Sequence, residues 1–137
     1  RGFERRFPGK IAVHVKFEEA MAHQIYAGSD IFLMPSTYEP CGVSQMIAFR
    51  YGTLPLVHHT GGLVDTVMPF RFNSKEGDGF VFARFDRADL IKAFESALRA
   101  FREKDILDEV INRVMKYDFS WTTSAMEYKK LYQKCLS

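Results

Sequence analysis

One carboxylate, Glu39, stands in the stretch Tyr38–Glu39–Pro40–Cys41–Gly42–Val43–Ser44–Gln45–Met46 (YEPCGVSQM), between two apolar runs. Gly42 lets the backbone come close to a ligand. The amides of Val43, Ser44 and Gln45 follow where a helix is expected to begin, so they lack intrahelical acceptors and carry the positive end of the helix dipole. A phosphate suits such a place. A carboxylate beside a diphosphate would repel it, so Glu39 suits a sugar hydroxyl or a developing positive charge, or else it caps the helix. Cys41 offers a thiol, but no His–Asn or His–Asp arrangement can be argued around it, and it reads as a neighbour of ligand-binding backbone.

The other reactive side chains carry weaker signals. His14, His23, His58 and His59 match no metal-ligand spacing, and His58–His59 falls at a strand end, where successive side chains point to opposite faces. The two cysteines, Cys41 and Cys135, lie far apart and outline neither a disulfide framework nor a zinc site, which fits a reducing compartment. Gly61–Gly62 follows a strand and can admit a phosphate or sugar or simply make a tight turn. Neither GxGxxG nor GxxxxGK[ST] is present, so a dinucleotide fingerprint and a P-loop are not supported. Phe17 stands just past a β-rich run, where an aromatic either stacks on a base or joins the core.

These groups need elements to position them. The chain has 137 residues, 47% hydrophobic and 15% aromatic, enough for one domain with its own core. Residues 1–68 hold 6 basic and 6 acidic side chains and residues 69–137 hold 13 and 11, so charge does not call for nucleic acid. No run approaches the roughly 18 apolar residues of a membrane helix, and no signal-peptide pattern opens the chain. It starts at Arg1 rather than Met and reads as cut from something longer.

Ile11–Val15 reads as a strand, Ala20–Ala27 as a helix stopped by Gly28, and Ile31–Met34 as a continuous apolar strand. Pro35–Gly42 is then a turn, about Val43–Tyr51 a helix stopped by Gly52, and Leu54–Val57 another strand. This βαβ order predicts a parallel sheet buried on both faces, with ligands at the carboxyl ends of its strands. Gly61–Gly62 opens a short helix broken near Pro69, Arg71–Gly79 is loop, and Phe80–Phe82 is a last strand. A helix capped by Asp86 or Asp89 carries the stripe Leu90, Ile91, Phe94, Ala97, Leu98 and Phe101. A second carries Ile106, Leu107, Val110, Ile111, Val114 and Met115. A third, after Ser120, carries Trp121, Ala125, Tyr128, Leu131, Tyr132 and Cys135.

The segment AGSDIFLMPSTYEPCGVSQMIAFRYGTLPLVHHTGGLVDTV, residues 27–67, resembles the C-terminal domain of bacterial glycogen synthases and plant starch synthases, retaining ADP-glucose glucosyltransferases with two Rossmann-like domains (GT-B type). EPCG, RYGTLP and TGGLVDTV at these spacings carry the likeness. Weaker similarity extends through FEEAMAHQIYAGSD, GDGFVF and FSWTTSAMEYKKLY, so nearly the whole chain is covered. The resemblance implies an α/β fold: residues 1–85 as βα units of a partial nucleotide-sugar-binding domain, and residues 86–137 as C-terminal helices, the last crossing toward the other domain. It also implies that Glu39 contacts the donor glucose at the reacting centre and that the Cys41 and Gly42 backbone holds glucose hydroxyls. Val43 and Ser44 would meet the diphosphate, and Phe17 the adenine.

Ile47 stands where the wider superfamily often has a second Glu, as in the starch and glycogen branch, whereas His58–His59 and Gln24 replace residues that are often basic. The partners implied are ADP-glucose, an α-1,4-glucan acceptor and the missing N-terminal domain of the same enzyme, with no nucleic acid, membrane, metal or cofactor, in a bacterial cytoplasm or a plastid. The family's donor-phosphate Arg and Lys, its glycine-rich motif and much of its acceptor site lie outside this chain, so half a site and no turnover are expected. Glu39 as covalent nucleophile and front-face attack are both compatible with the residues. The other readings are a non-catalytic nucleotide- or glucan-binding domain and a UDP-sugar glycosyltransferase.

Overall fold

The computed structural model of the chain describes residues 2–136. Its elements run α1 (Gly2–Arg6), α2 (Glu19–Gly28), β1 (Ile31–Met34), α3 (Ser44–Arg50), β2 (Leu54–His58), α4 (Leu63–Thr66) and β3 (Phe80–Phe82), and then α5 (Arg87–Arg102), α6 (Lys104–Val114) and α7 (Trp121–Cys135). The three strands form one parallel sheet in the order β1-β2-β3, with Ile31 opposite Leu54, Met34 opposite Val57, Leu56 opposite Phe80 and His58 opposite Phe82. The βαβ reading of residues 31–58 therefore holds.

β2 is central and buried throughout. It nevertheless contains Pro55, which cannot donate to a ladder. Successive amides of a strand point to alternate sides, and the Leu54 N–H already donates to the Asp30 carbonyl on the β1 side at 3.0 Å. The Pro55 nitrogen thus faces the β3 side, where pairing begins only at Leu56, and no ladder bond is lost. α3 ends as its glycine predicts. Gly52, at φ +76°, donates to Phe49 O and Thr53 N donates to Ala48 O, both at 3.0 Å, which closes a Schellman cap.

Phe49, Leu54, Leu56, Val57, Leu63 and Val67 are the centre of the core, and Leu107, Val110 and Val114 of α6 complete it. α5 meets the sheet through Ala93, Ala97 and Ala100, whereas Ile91, Phe94, Leu98 and Phe101 are exposed. The expected stripe thus holds at Leu90 and Ala97 but not at its other members: periodicity marks an apolar face but not which residues a closely approaching strand leaves room for, and alanines allow the tightest contact. α7 buries none of its residues, and Trp121 is 87% exposed. Its periodicity makes it amphipathic without supplying a surface to cover it. Among the described residues, no helix is long and apolar enough to cross a membrane.

Ile11–Val15 is not a strand, and Ile11, Val13 and Val15 are exposed. β-propensity describes a fit to a pleated, half-buried surface, and among the described residues no strand pairs with this run to supply one. The short helix α1 preceding it was not anticipated from the sequence.

Two polar ties fix the later segments. Asp78 accepts from Met68 N at 2.7 Å and from the Tyr117 hydroxyl at 3.0 Å, while Arg113 donates to the carbonyls of Lys75 and Gly77. Burial raises the Asp78 carboxyl above its ordinary value despite these donors. At the start of α5, Asp86 accepts from Asp89 N at 2.9 Å, and Arg84 grips the Asp89 carboxylate with Nη2 to Oδ1 at 2.7 Å and Nε to Oδ2 at 3.2 Å. The Arg84 hydrogen bonds hold Asp89 at about 2, below the usual 3.8. A depressed folded value means that the contribution is complete above 3.8 and is lost as pH falls from there through about 2. Denaturant midpoints measured across that window should therefore fall less steeply in Asp89→Asn than in the parent chain; parallel curves would remove this pair from the acid limb.

Candidate functional site

Because β1 and β2 are adjacent and parallel, the loops leaving their carboxyl ends lie side by side. The first is the Glu39–Gly42 turn and the second is Gly61–Gly62. Gly62 N donates to Glu39 O at 2.9 Å. A Cβ on Gly61, which sits at φ +51°, would lie 1.9 Å from Glu39 O, and one on Gly62 would lie 2.5 Å from Cys41 O. The glycine pair is thus explained by backbone pressed against backbone, more specifically than by a tight turn, and no phosphate is needed to account for it.

Gln45 is fully buried in the first turn of α3. Its Nε2 donates to Gly42 O and to Thr66 Oγ1, each at 2.9 Å, and approaches Cys41 O at 3.5 Å. Thr66 Oγ1 in turn donates to Gly62 O at 2.9 Å. A short polar chain therefore joins the Cys41–Gly42 turn to α4 and back to the glycine pair. Gly42 adopts φ +72°, and a Cβ there would lie 2.6 Å from Gln45 Oε1. The sequence reading used only the Gln45 amide and missed its side chain. The signal was available: Gln45 shares the inward face of α3 with Ala48 and Phe49, at i, i+3 and i+4.

The groups expected to meet a ligand are placed as follows. Glu39 is half-buried, and its Oε2 accepts a long hydrogen bond from Ser36 Oγ at 3.5 Å. Cys41 and Val43 are exposed and Ser44 is half-buried. α3 begins at Ser44 with Val43 as N-cap, and no side chain caps it, so its first amides are left without a side-chain acceptor. These residues form one continuous segment with Glu39. Phe17 is 95% exposed, and the strand expected just before it, Ile11–Val15, is not formed.

The histidines divide. His58 is buried against the Phe82 and Phe85 rings, and its Nδ1 lies 2.8 Å from Ser36 O. A carbonyl only accepts, so Nδ1 carries the proton, and the contact ties the end of β2 to the turn that presents Glu39. His59 is half-buried, and its buried Nε2 has no hydrogen-bond partner among the described residues. Among the described residues no group of three or more His, Cys, Asp or Glu side chains could hold a metal ion. Beside the turn lies an open cavity of about 720 Å³ whose lining includes Cys41, Met46, Phe119, Trp121, Tyr128 and Leu131 together with the polar Asp118, Thr123, Ser124 and Glu127.

Residues 9–109 match the family described as Glycosyl transferases group 1. The chain is 48% identical over 130 residues to the glycogen synthase of Geobacillus thermodenitrificans, covering 95% of this chain and 27% of that protein. It is 49% identical over 138 residues to the glycogen synthase of Thermotoga petrophila, covering 100% of this chain and 28% of that protein. In structure it is similar to the catalytic domain of starch synthase IV from Arabidopsis thaliana bound to ADP and acarbose, with TM-score 0.84 and 37% identity over 97% of this chain and 28% of that one. Sucrose-phosphate synthase from Thermosynechococcus elongatus, at TM-score 0.69 and 20% identity, shares the fold. The chain spans 27–28% of the length of these two curated relatives.

The contact between the two loops is testable without a ligand. Gly61→Ala combines a left-handed backbone with a Cβ inside van der Waals distance of a carbonyl, and should lower the unfolding free energy by about 2–4 kcal/mol. Gly28→Ala, with open space around its Cβ, serves as the control. Urea unfolding of both variants checks this; a Gly61→Ala midpoint equal to that of the control would mean that the loops do not rest on each other.

Proposed function

The chain belongs to the glycosyl transferases of group 1 and has the parallel α/β fold of a GT-B type C-terminal domain, and on that premise we propose that it is the donor-binding part of a glycogen or starch synthase. In this reading residues 1–85 are the βα units of a partial nucleotide-sugar-binding domain and residues 86–137 its C-terminal helices. The whole enzyme transfers glucose from ADP-glucose to the 4-hydroxyl at the non-reducing end of an α-1,4-glucan, keeping the anomeric configuration. It works in a bacterial cytoplasm or a plastid.

The observation that carries this reading is the Glu39–Gly42 turn, held by Gly61–Gly62, that runs directly into the uncapped start of α3. When the bond from glucose C1 to the diphosphate breaks, negative charge grows on the leaving oxygens and positive charge on the sugar ring. The amides at Val43 and Ser44 stabilise the first, and the Glu39 carboxylate stabilises the second. Separating the two by only a few residues keeps the carboxylate off the phosphates while both act on one substrate. The Cys41 and Gly42 backbone holds glucose hydroxyls, and Phe17 stacks on the adenine. The remaining phosphate contacts and the acceptor site come from the rest of the enzyme, including its N-terminal domain, so this chain alone binds without turnover.

Amide NMR titration with ADP and then UDP tests the nucleotide assignment. Shifts at Phe17 and Cys41–Gln45, stronger with ADP, are expected; equal or stronger shifts with UDP point to a UDP-sugar enzyme, and their absence at millimolar ADP means that half a site is too incomplete to bind, so that the full-length enzyme decides. In the full-length enzyme, Glu39→Gln should lower kcat by at least about 100-fold while leaving ADP affinity within a few-fold. An enzyme with no rate to lose would be a binding module.

A further inference from the structure

Gln45 is the one fully buried polar side chain in α3, and its carboxamide is held in a single orientation. Gly42 O and Cys41 O can only accept, and Thr66 Oγ1 spends its proton on Gly62 O, so all three require the nitrogen of the amide to face them. The consequence is a cost: Oε1 is buried with no partner among the described residues. A residue that only filled this space would be apolar, since an apolar side chain leaves no orphaned acceptor. The carboxamide therefore has a task on its nitrogen side, and what lies on that side is the Cys41–Gly42 backbone.

We propose that Gln45 is a positioning residue that sets the Cys41–Gly42 backbone in the conformation that receives the donor sugar. The inference rests on the donor-site reading given above for where the sugar lies, but the loop geometry can be read independently of any ligand. Gln45 itself touches no substrate. It acts through Gly42 O and Cys41 O, and Thr66 ties its carboxamide to the same α4 that carries the glycine pair against Glu39 and Cys41. One side chain thus couples both walls of the site. Without its N–H groups the two carbonyls lose their donor and Gly42 loses the contact that fixes its left-handed backbone, while the hydrophobic core beneath, Ala48 and Phe49, is untouched.

Gln45→Met keeps length and helix propensity and removes the donor. In the isotopically labelled chain, amides of β2 such as Leu56 and Val57 should keep their shifts and protection. Amides of Cys41–Ser44 should shift and exchange about tenfold faster. Affinity for ADP-glucose should drop about tenfold while affinity for ADP drops less, a split that simple loss of folded protein would not produce. Loop shifts and ADP-glucose affinity within twofold of the parent would overturn the proposal. Should Gln45→Met fail to fold, Thr66→Ser and Thr66→Val decide: Ser retains the hydroxyl and should preserve the loop signals, Val should move them, and identical behaviour of the two overturns the proposal. If the parent chain binds neither ADP nor ADP-glucose, the affinities are read in the full-length enzyme, where failure to bind overturns the donor-site reading, and the loop signals of the variants still decide whether Gln45 sets the turn.

Discussion

The contact on which the rest of this site depends is the approach of the Gly61–Gly62 backbone to the Glu39–Cys41 backbone. It follows from topology. Neighbouring strands lie about 4.8 Å apart, so two loops leaving the same end of β1 and β2 must share that narrow spacing unless one turns away. Here neither does. With a hydrogen bond from Gly62 N to Glu39 O and a carbonyl where each missing Cβ would stand, any side chain at either glycine would push the two loops apart. The turn that presents Glu39 is thus built against a wall rather than suspended in solvent.

That wall is completed by polar groups rather than apolar ones. Gln45 and Thr66 carry hydrogen bonds from one loop to the other through the interior, and His58 makes a third connection, from the end of β2 to Ser36. Buried polar groups stabilise little on balance, but they are directional, and direction is what gives a loop one shape. The apolar core of Phe49, Leu56, Val57, Leu63 and Val67 lies directly below and supplies the free energy against which this polar layer is held. The division of labour is physical: area burial gives stability, and hydrogen bonds give the loop its shape.

Much of this could be read from the residues. The three strands at 31–34, 54–58 and 80–82, the helix stop at Gly52 and the cap at Asp86 each follow from a few neighbouring positions: an apolar run of strand length, a glycine able to take positive φ, a carboxylate one turn ahead of an apolar stripe. Ile11–Val15 shows the limit. Its composition is that of a strand, yet strand formation is a pairing, and among the described residues no strand pairs with it. α5 shows a second limit, since Ala93, Ala97 and Ala100 rather than the larger Ile91, Phe94 and Leu98 face the sheet once β3 comes close.

The residues alone therefore settled the class of the fold, parallel α/β, and marked the stretch proposed above for a phosphorylated sugar, because turn chemistry, helix starts and strand runs are written in contiguous positions. Folding decided which partners those positions acquired: that Gly61–Gly62 packs on Glu39–Cys41, that the Gln45 carboxamide rather than its amide alone holds Gly42, and that Thr66 and His58 belong to the same network. These pairs are up to 23 residues apart along the chain, between Glu39 and Gly62. No local pattern encodes such a meeting, because it is produced by the register of β1 on β2, and that register exists only when the sheet is assembled.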